Sequence, residues 1–132
     1  MTTVSDALDL TVQHIDDRTA VVAVLGDVDL HTAVSLRANV SALLAEGVRH
    51  LVLDLSRTEY IDSTGLSTFI RLLHAAQRND GSLRLAAVPE RLERMVTMTG
   101  IAQLLPVHTT VDEALNAGPA DSATGEPGRT PG

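Results

Sequence analysis

The run "VLDLSRTEYIDSTGLSTFIRLLHAA", residues 52–76, decides the fold. It closes the apolar stretch "HLVLDL" (50–55), a short, nearly continuous β-branched and leucine run of the kind buried beneath crossover helices. Its second half changes period. Leu66, Phe69, Ile70 and Leu73 recur at i, i+3, i+4 and i+7, an apolar helical stripe, and Ser67, Arg71, His74 and Arg78 form a polar stripe on another face. Between the two lies Asp62-Ser63-Thr64-Gly65, helix-start chemistry wedged between a strand and a helix. Strand, cap and amphipathic helix in that order predict a crossover unit and a parallel sheet.

Working outward toward the N-terminus, Leu8, Leu10 and Val12 alternate with Asp9, Thr11 and Gln13, the period of a strand with one wet face. "DDR" (16–18) supplies a turn, and "TAVVAVLG" (19–26) predicts a second strand closed by Gly26, so the two form a hairpin. From Leu30 a helical period places Ala33, Leu36, Val40, Leu43 and Leu44 on one face, with Thr32 as the expected N-cap and Gly47 as the stop. Toward the C-terminus, "NDG" (79–81) ends the central helix and "SLRLAAV" (82–88) alternates as a strand. Pro89 opens a helix with Leu92, Met95 and Val96 inward, and Gly100 stops it. "LLPVH" (104–108) reads as a short edge strand, followed by a last helical turn capped by Thr109 or Thr110. The predicted order is β-β-α-β-α-β-α-(β)-α. This is one α/β domain over residues 4–117, with a mixed sheet of four to five strands and helices packed mainly on one face, the other face staying partly wet. Residues 118–132, "GPADSATGEPGRTPG" from Gly118, lack apolar periodicity and predict a disordered tail.

Composition narrows the function. The 132 residues fit one domain, and 44% hydrophobic content supports a core. Aromatics are 2% (Tyr60 and Phe69), the net charge is −7, and no Lys/Arg run occurs. Stacking platforms and phosphate-backbone binding are therefore not expected, so no nucleic acid is assigned as partner. Cysteine is absent, and the five histidines (14, 31, 50, 74 and 108) have no metal-ligand spacing, so neither metal nor cofactor is expected. The acidic start is unlike a signal peptide, and no apolar run approaches the roughly 20 residues of a spanning helix. The expectation is a cytoplasmic protein with no membrane insertion.

Asp62-Ser63-Thr64-Gly65 admits three readings. As a cap it satisfies the orphan N–H groups of a helix start. Gly65 fits that account poorly, since glycine in a first turn costs about 1 kcal/mol against alanine, so a close approach of backbone or partner is expected there. As a nucleophile Ser63 lacks a G-x-S-x-G elbow, and His74 lies roughly 16 Å along the helix. As a phosphate acceptor, an exposed hydroxyl at a helix N-terminus takes about −1.5 to −2 charges without disrupting the fold. The first and third readings are compatible, the hydroxyl capping the helix until it is modified.

The 52–76 run resembles the signature of the STAS domain family, in particular its stand-alone bacterial anti-sigma factor antagonists. "LGDVDLHTAVSLRANV" (25–40) is similar to the Gly-Glu-Leu-Asp segment of that family, and "MTGIAQLLPVHTTVDEAL" (98–115) more weakly to its C-terminal part. The resemblance covers about residues 8–116. It implies that Ser63 is phosphorylated by a cognate anti-sigma factor, a serine kinase with an ATP-binding, histidine-kinase-like fold. Thr64 is a minor candidate acceptor. The resemblance and the polar stripe together give Asp27, Asp29, Asp62, Ser63, Thr64, Gly65, Ser67 and Arg71 as expected partner-binding residues, with Glu being the commoner residue in the family where Asp27 stands. The implied mechanism is partner switching in transcription regulation. The unphosphorylated protein binds the kinase and frees a sigma factor, the phosphoprotein lets go, and a serine phosphatase restores it. Alternatives within the fold are a scaffold subunit of a stress-signalling complex or a subunit associated with lipid or anion transport, without a phosphate cycle. A nucleotide-binding module lacks its G-x-x-x-x-G-K-[ST] or G-x-G-x-x-G motif, and an enzyme ranks last.

Overall fold

In the computed structural model residues 8–117 are described. The expected tail, 118–132, and the first residues of the expected domain, 4–7, lie outside the described residues. The elements are β1 (Leu8–His14), β2 (Thr19–Val28), α1 (Leu30–Glu46), β3 (His50–Asp54), β4 (Thr58–Ile61), α2 (Ser63–Arg78), β5 (Ser82–Ala86), α3 (Glu90–Met98), a 3-10 turn (Ile101–Gln103), β6 (Val107–His108) and α4 (Val111–Ala117). The α/β class stands, and the sheet is mixed. β1 pairs antiparallel with β2 from Leu8↔Gly26 to His14↔Ala20. The β2–β3, β2–β4, β3–β5 and β5–β6 pairs are all parallel.

The sheet has six strands rather than four to five, because β4 was not legible in the sequence. Thr58-Glu-Tyr-Ile is too short to show a period, and it pairs with the far half of β2 instead of with β3. β2 accordingly does not stop at Gly26 but runs to Val28, lying against β3 up to Ala23 and against β4 from Gly26. Gly26, at φ 104°, sits where the register shifts. At the seam the Thr58 hydroxyl, fully buried, donates to the Val24 carbonyl at 2.7 Å, and Gly26 N–H donates to the Arg57 carbonyl. These bonds satisfy polar groups that neither ladder reaches.

Alternation along each strand sends Val22, Val24, Leu51, Leu53, Leu83 and Leu85 to the face under α1, α2 and α3. There they pack with Leu36, Val40, Phe69, Leu72 and Val96 in the main core. The opposite face is less wet than the pattern of "SLRLA" predicts: Ser82 and Arg84 are buried along with the leucines. α4 returns across that face, where Ala114, Val111 and Leu115 meet Val21, Val52 and Ala86 in a second, small apolar layer. A seven-residue helix carries too little periodicity to announce this. Met95, half-buried, packs inward against the main core as expected, and of "LLPVH" only Val107–His108 pairs, Leu104 closing the 3-10 turn. Thr110 is the cap of α4, its hydroxyl accepting from Glu113 N–H at 3.0 Å.

Candidate functional site

α1 and α2 both leave the C-terminal ends of strands that lie side by side. The pairs Asp27↔Tyr60 and Val28↔Ile61 bring the next residues, Asp29 and Asp62, next to each other, and Asp62 N–H donates to the Val28 carbonyl at 3.3 Å. Each of these aspartates caps a helix. Asp29 Oδ1 accepts from His31 N–H (3.0 Å) and Thr32 N–H (3.1 Å), while the Thr32 hydroxyl accepts from Asp29 N–H (3.0 Å), closing a reciprocal capping box. The expected cap at Thr32 is thus corrected by three residues. Thr32 is buried at the third helical position, donating its hydroxyl hydrogen to the Asp27 carbonyl at 2.6 Å. The hydrogen bonds from Thr32 and His31 outweigh desolvation and hold the Asp29 carboxyl below its ordinary range, so it is charged at neutral pH.

Asp62 Oδ1 accepts from Gly65 N–H at 2.8 Å and caps α2. The cap is therefore Asp62 and not a hydroxyl. Ser63, the first residue of α2, is exposed, and its side chain forms no hydrogen bond with a described residue. Replacing Asp62 by Ala is expected to cost about 1 kcal/mol of stability in denaturant unfolding, the usual loss of a cap. An unchanged midpoint would mean that the Asp62–Gly65 bond contributes nothing. Thr64 is half-buried. Gly65 is buried, and a Cβ there would stand 2.5 Å from the Val28 carbonyl oxygen and 2.9 Å from Ile61 Cγ2. The close approach expected of this glycine is made by the protein's own β2.

Asp27 is half-buried at the end of β2, and Ser67 and Arg71 are exposed on the first and second turns of α2 beyond Ser63. The fold thus brings Asp27, Asp29, Asp62, Ser63, Thr64 and Gly65 to one end of the sheet. Two positive helix ends and three carboxylates share that end, so the field there is balanced rather than simply acidic. His74 is exposed on a later turn of α2. His108 lies at the β6 edge, its Nδ1 4.0 Å from Glu113 Oε1.

Ser63 stands on a ridge between two shallow grooves. One is lined by Leu66, Ile70, Thr99, Ile101 and Leu104, the other by Leu30, Val34, Arg37, Thr64 and Arg71. Neither contains a histidine or carboxylate to serve as a base for the Ser63 hydroxyl. Sequence reasoning missed the apolar flanks. Leu30, Val34 and Leu104 are 65%, 63% and 62% exposed on either side of Ser63. The signal was present for two of them, since Leu30 and Val34 are i, i+4 partners off the buried stripe of α1. Among the described residues no helix is long and apolar enough to cross a membrane.

An α/β domain with two capped helix starts flanking an exposed serine matches known proteins in both sequence and fold. The STAS domain model matches residues 10–114, and the chain belongs to that family. It is 32% identical over 87 residues to the anti-sigma-B factor antagonist of Staphylococcus aureus, covering 66% of this chain and 81% of that protein. Its fold is similar to that of an anti-sigma factor antagonist from Mycobacterium paratuberculosis, with a TM-score of 0.71 and 28% identity over 88% of this chain and 97% of that one. It is similar also to the anti-sigma factor antagonist SpoIIAA in its unphosphorylated form, with a TM-score of 0.71 over 83% of this chain and 95% of that one; at 17% identity this is a likeness of fold alone.

Proposed function

We propose that this protein is an anti-sigma factor antagonist that works by partner switching and is not itself an enzyme. Unphosphorylated, it docks on an anti-sigma factor serine kinase through the sheet end that carries Ser63 and thereby releases a sigma factor. Phosphorylation of Ser63 ends the complex, and a serine phosphatase resets it in the cytoplasm. The observation that carries this reading is the Ser63 hydroxyl: exposed, unengaged, and on the first turn of a helix whose cap is supplied by a different residue. It can be modified without removing a bond that holds the fold. Support also comes from relatives named anti-sigma factor antagonists at 32% and 28% identity.

The direction of the switch follows from charge. A phosphate on Ser63 adds about −1.5 to −2 charges beside Asp29 and Asp62. Because Asp29 is held ionised by its cap bonds, it does not relieve that repulsion by taking up a proton near neutral pH. A partner surface that closes over this group must desolvate it without a matched cation, which costs several kcal/mol. Thr64, half-buried, is the poorer acceptor. Gly65 contributes from beneath the surface, by letting α2 sit against β2. The deciding experiment incubates the purified protein with ATP and an anti-sigma factor serine kinase that binds it, and maps the product by mass spectrometry. Phosphate on Ser63 is expected; phosphate elsewhere, or none with a kinase that binds the protein, rejects the switch.

A further inference from the structure

α1 and α2 are return crossovers of parallel strands, so they run in the same direction and leave a furrow between them. Near Ser63 the furrow is walled by Leu30, Val34, Arg37 and Arg71, and farther down by Arg37, Arg71, His74 and Arg78. No carboxylate lines either stretch. All three arginines are exposed, and none forms an ion pair or side-chain hydrogen bond with a described residue. Between the caps Asp29 and Asp62 and the ends of the helices, the sole acid on either helix is Glu46, the last residue of α1. A charged helix face by itself is ordinary. Here the cations converge from two helices, stand without counter-charges in a chain of net charge −7, and continue into exposed leucine and valine.

We infer that this furrow seats an acidic amphipathic segment of the partner protein, its apolar side chains on Leu30 and Val34 and its carboxylates on Arg37, Arg71 and Arg78. The inference rests on the docking function proposed above and names the chemistry of the docking segment. A peptide segment feels the furrow within a Debye length of about 8 Å, whereas an extended polyanion such as duplex DNA or an anionic bilayer also meets the net negative charge of the whole chain. Ser63 forms the upper lip of the furrow. A phosphate there lies in the path of the acidic segment and competes for the same arginines, which gives the switch its second source of repulsion.

The test needs no kinase. The isotope-labelled full chain is titrated, with NMR detection, with a helical peptide of about 18 residues bearing Leu and Glu on one face. Parallel titrations use its Lys-for-Glu counterpart, phosphatidylglycerol vesicles and duplex DNA. Expected are shifts confined to residues 30–37 and 67–78 with the Leu/Glu peptide only. Affinity is expected to fall about tenfold or more in Arg37→Glu/Arg71→Glu, and again as salt rises. Thermal melts confirm the fold of the variant, and Arg37→Gln/Arg71→Gln replaces it if it does not fold. No shift, equal binding of the Lys peptide, an unaffected variant, or tighter binding of vesicles or DNA at the furrow overturns the inference. Ser63→Asp tests the phosphate switch independently, so the two fail separately.

Discussion

Ser63→Asp is expected to weaken binding to the proposed partner, an anti-sigma factor serine kinase, about a thousandfold, corresponding to about 4 kcal/mol, without lowering the stability of the domain. The two halves of this expectation come from the same location. At the first position of α2, a carboxylate faces the positive helix end and is stabilised there by about 0.3–1 kcal/mol in the free protein. In the complex, the same carboxylate sits beside Asp29 and Asp62 on a surface the partner must dry, and it draws Arg37 and Arg71 away from the docking segment. Ser63→Ala removes the hydroxyl but adds no charge, and is expected to bind as the wild type does and to resist phosphorylation. Calorimetric titration of the kinase against the three proteins measures this directly. Near-equal affinities for the wild type and the Asp variant would defeat the switch, whatever the phosphorylation assay gives.

The second large effect is on stability. Gly65→Ala should lower it by about 2–3 kcal/mol, against the gain of about 1 kcal/mol that helix propensity alone predicts. The reason is the Val28 carbonyl, 2.5 Å from where the new methyl would stand, with Ile61 Cγ2 and Val28 Cγ1 at 2.9 and 3.0 Å. The obstacle is backbone at the end of β2, so it cannot swing aside as a long side chain would. The start of α2 must lift off the β2–β4 ladder, straining the Asp62–Gly65 bond and shifting Ser63. Chemical denaturation gives the sign. A stabilised Gly65→Ala variant would show that the helix start does not press on β2, and the positioning assigned to Gly65 would then be lost.

The propensities of local segments were readable because they depend on neighbours three or four residues away. The leucine stripe of α2, the break at Gly47 and the cap chemistry of Asp62 are of this kind. The cap of α1 was misread by one turn for a related reason. In Asp29-Leu-His-Thr32, both hydroxyl and carboxylate are good caps, and they form the same box from opposite ends. Only the backbone, extended at Asp29 (φ −139°), assigns the roles.

β4 and the covered back face were hidden because their stabilisation comes from distant partners. Thr58–Ile61 becomes a strand by pairing with Gly26–Val28, and Val21, Val52 and Ala86 on the back face are covered by α4. The same long-range pairing brings Asp27, Asp29 and Asp62 into one group with Ser63, and leaves Leu30, Val34 and three arginines facing an open furrow.

By itself, then, the order of residues determined the α/β class, the helix that carries Ser63 and the chemistry of its first turn, since backbone propensity and capping are settled within a few residues. Tertiary structure alone decided which carboxylates stand beside that serine, why position 65 admits no side chain, and which polar faces are left to a partner. Those are properties of strand register, and register is fixed by burying side chains that lie far apart in the chain.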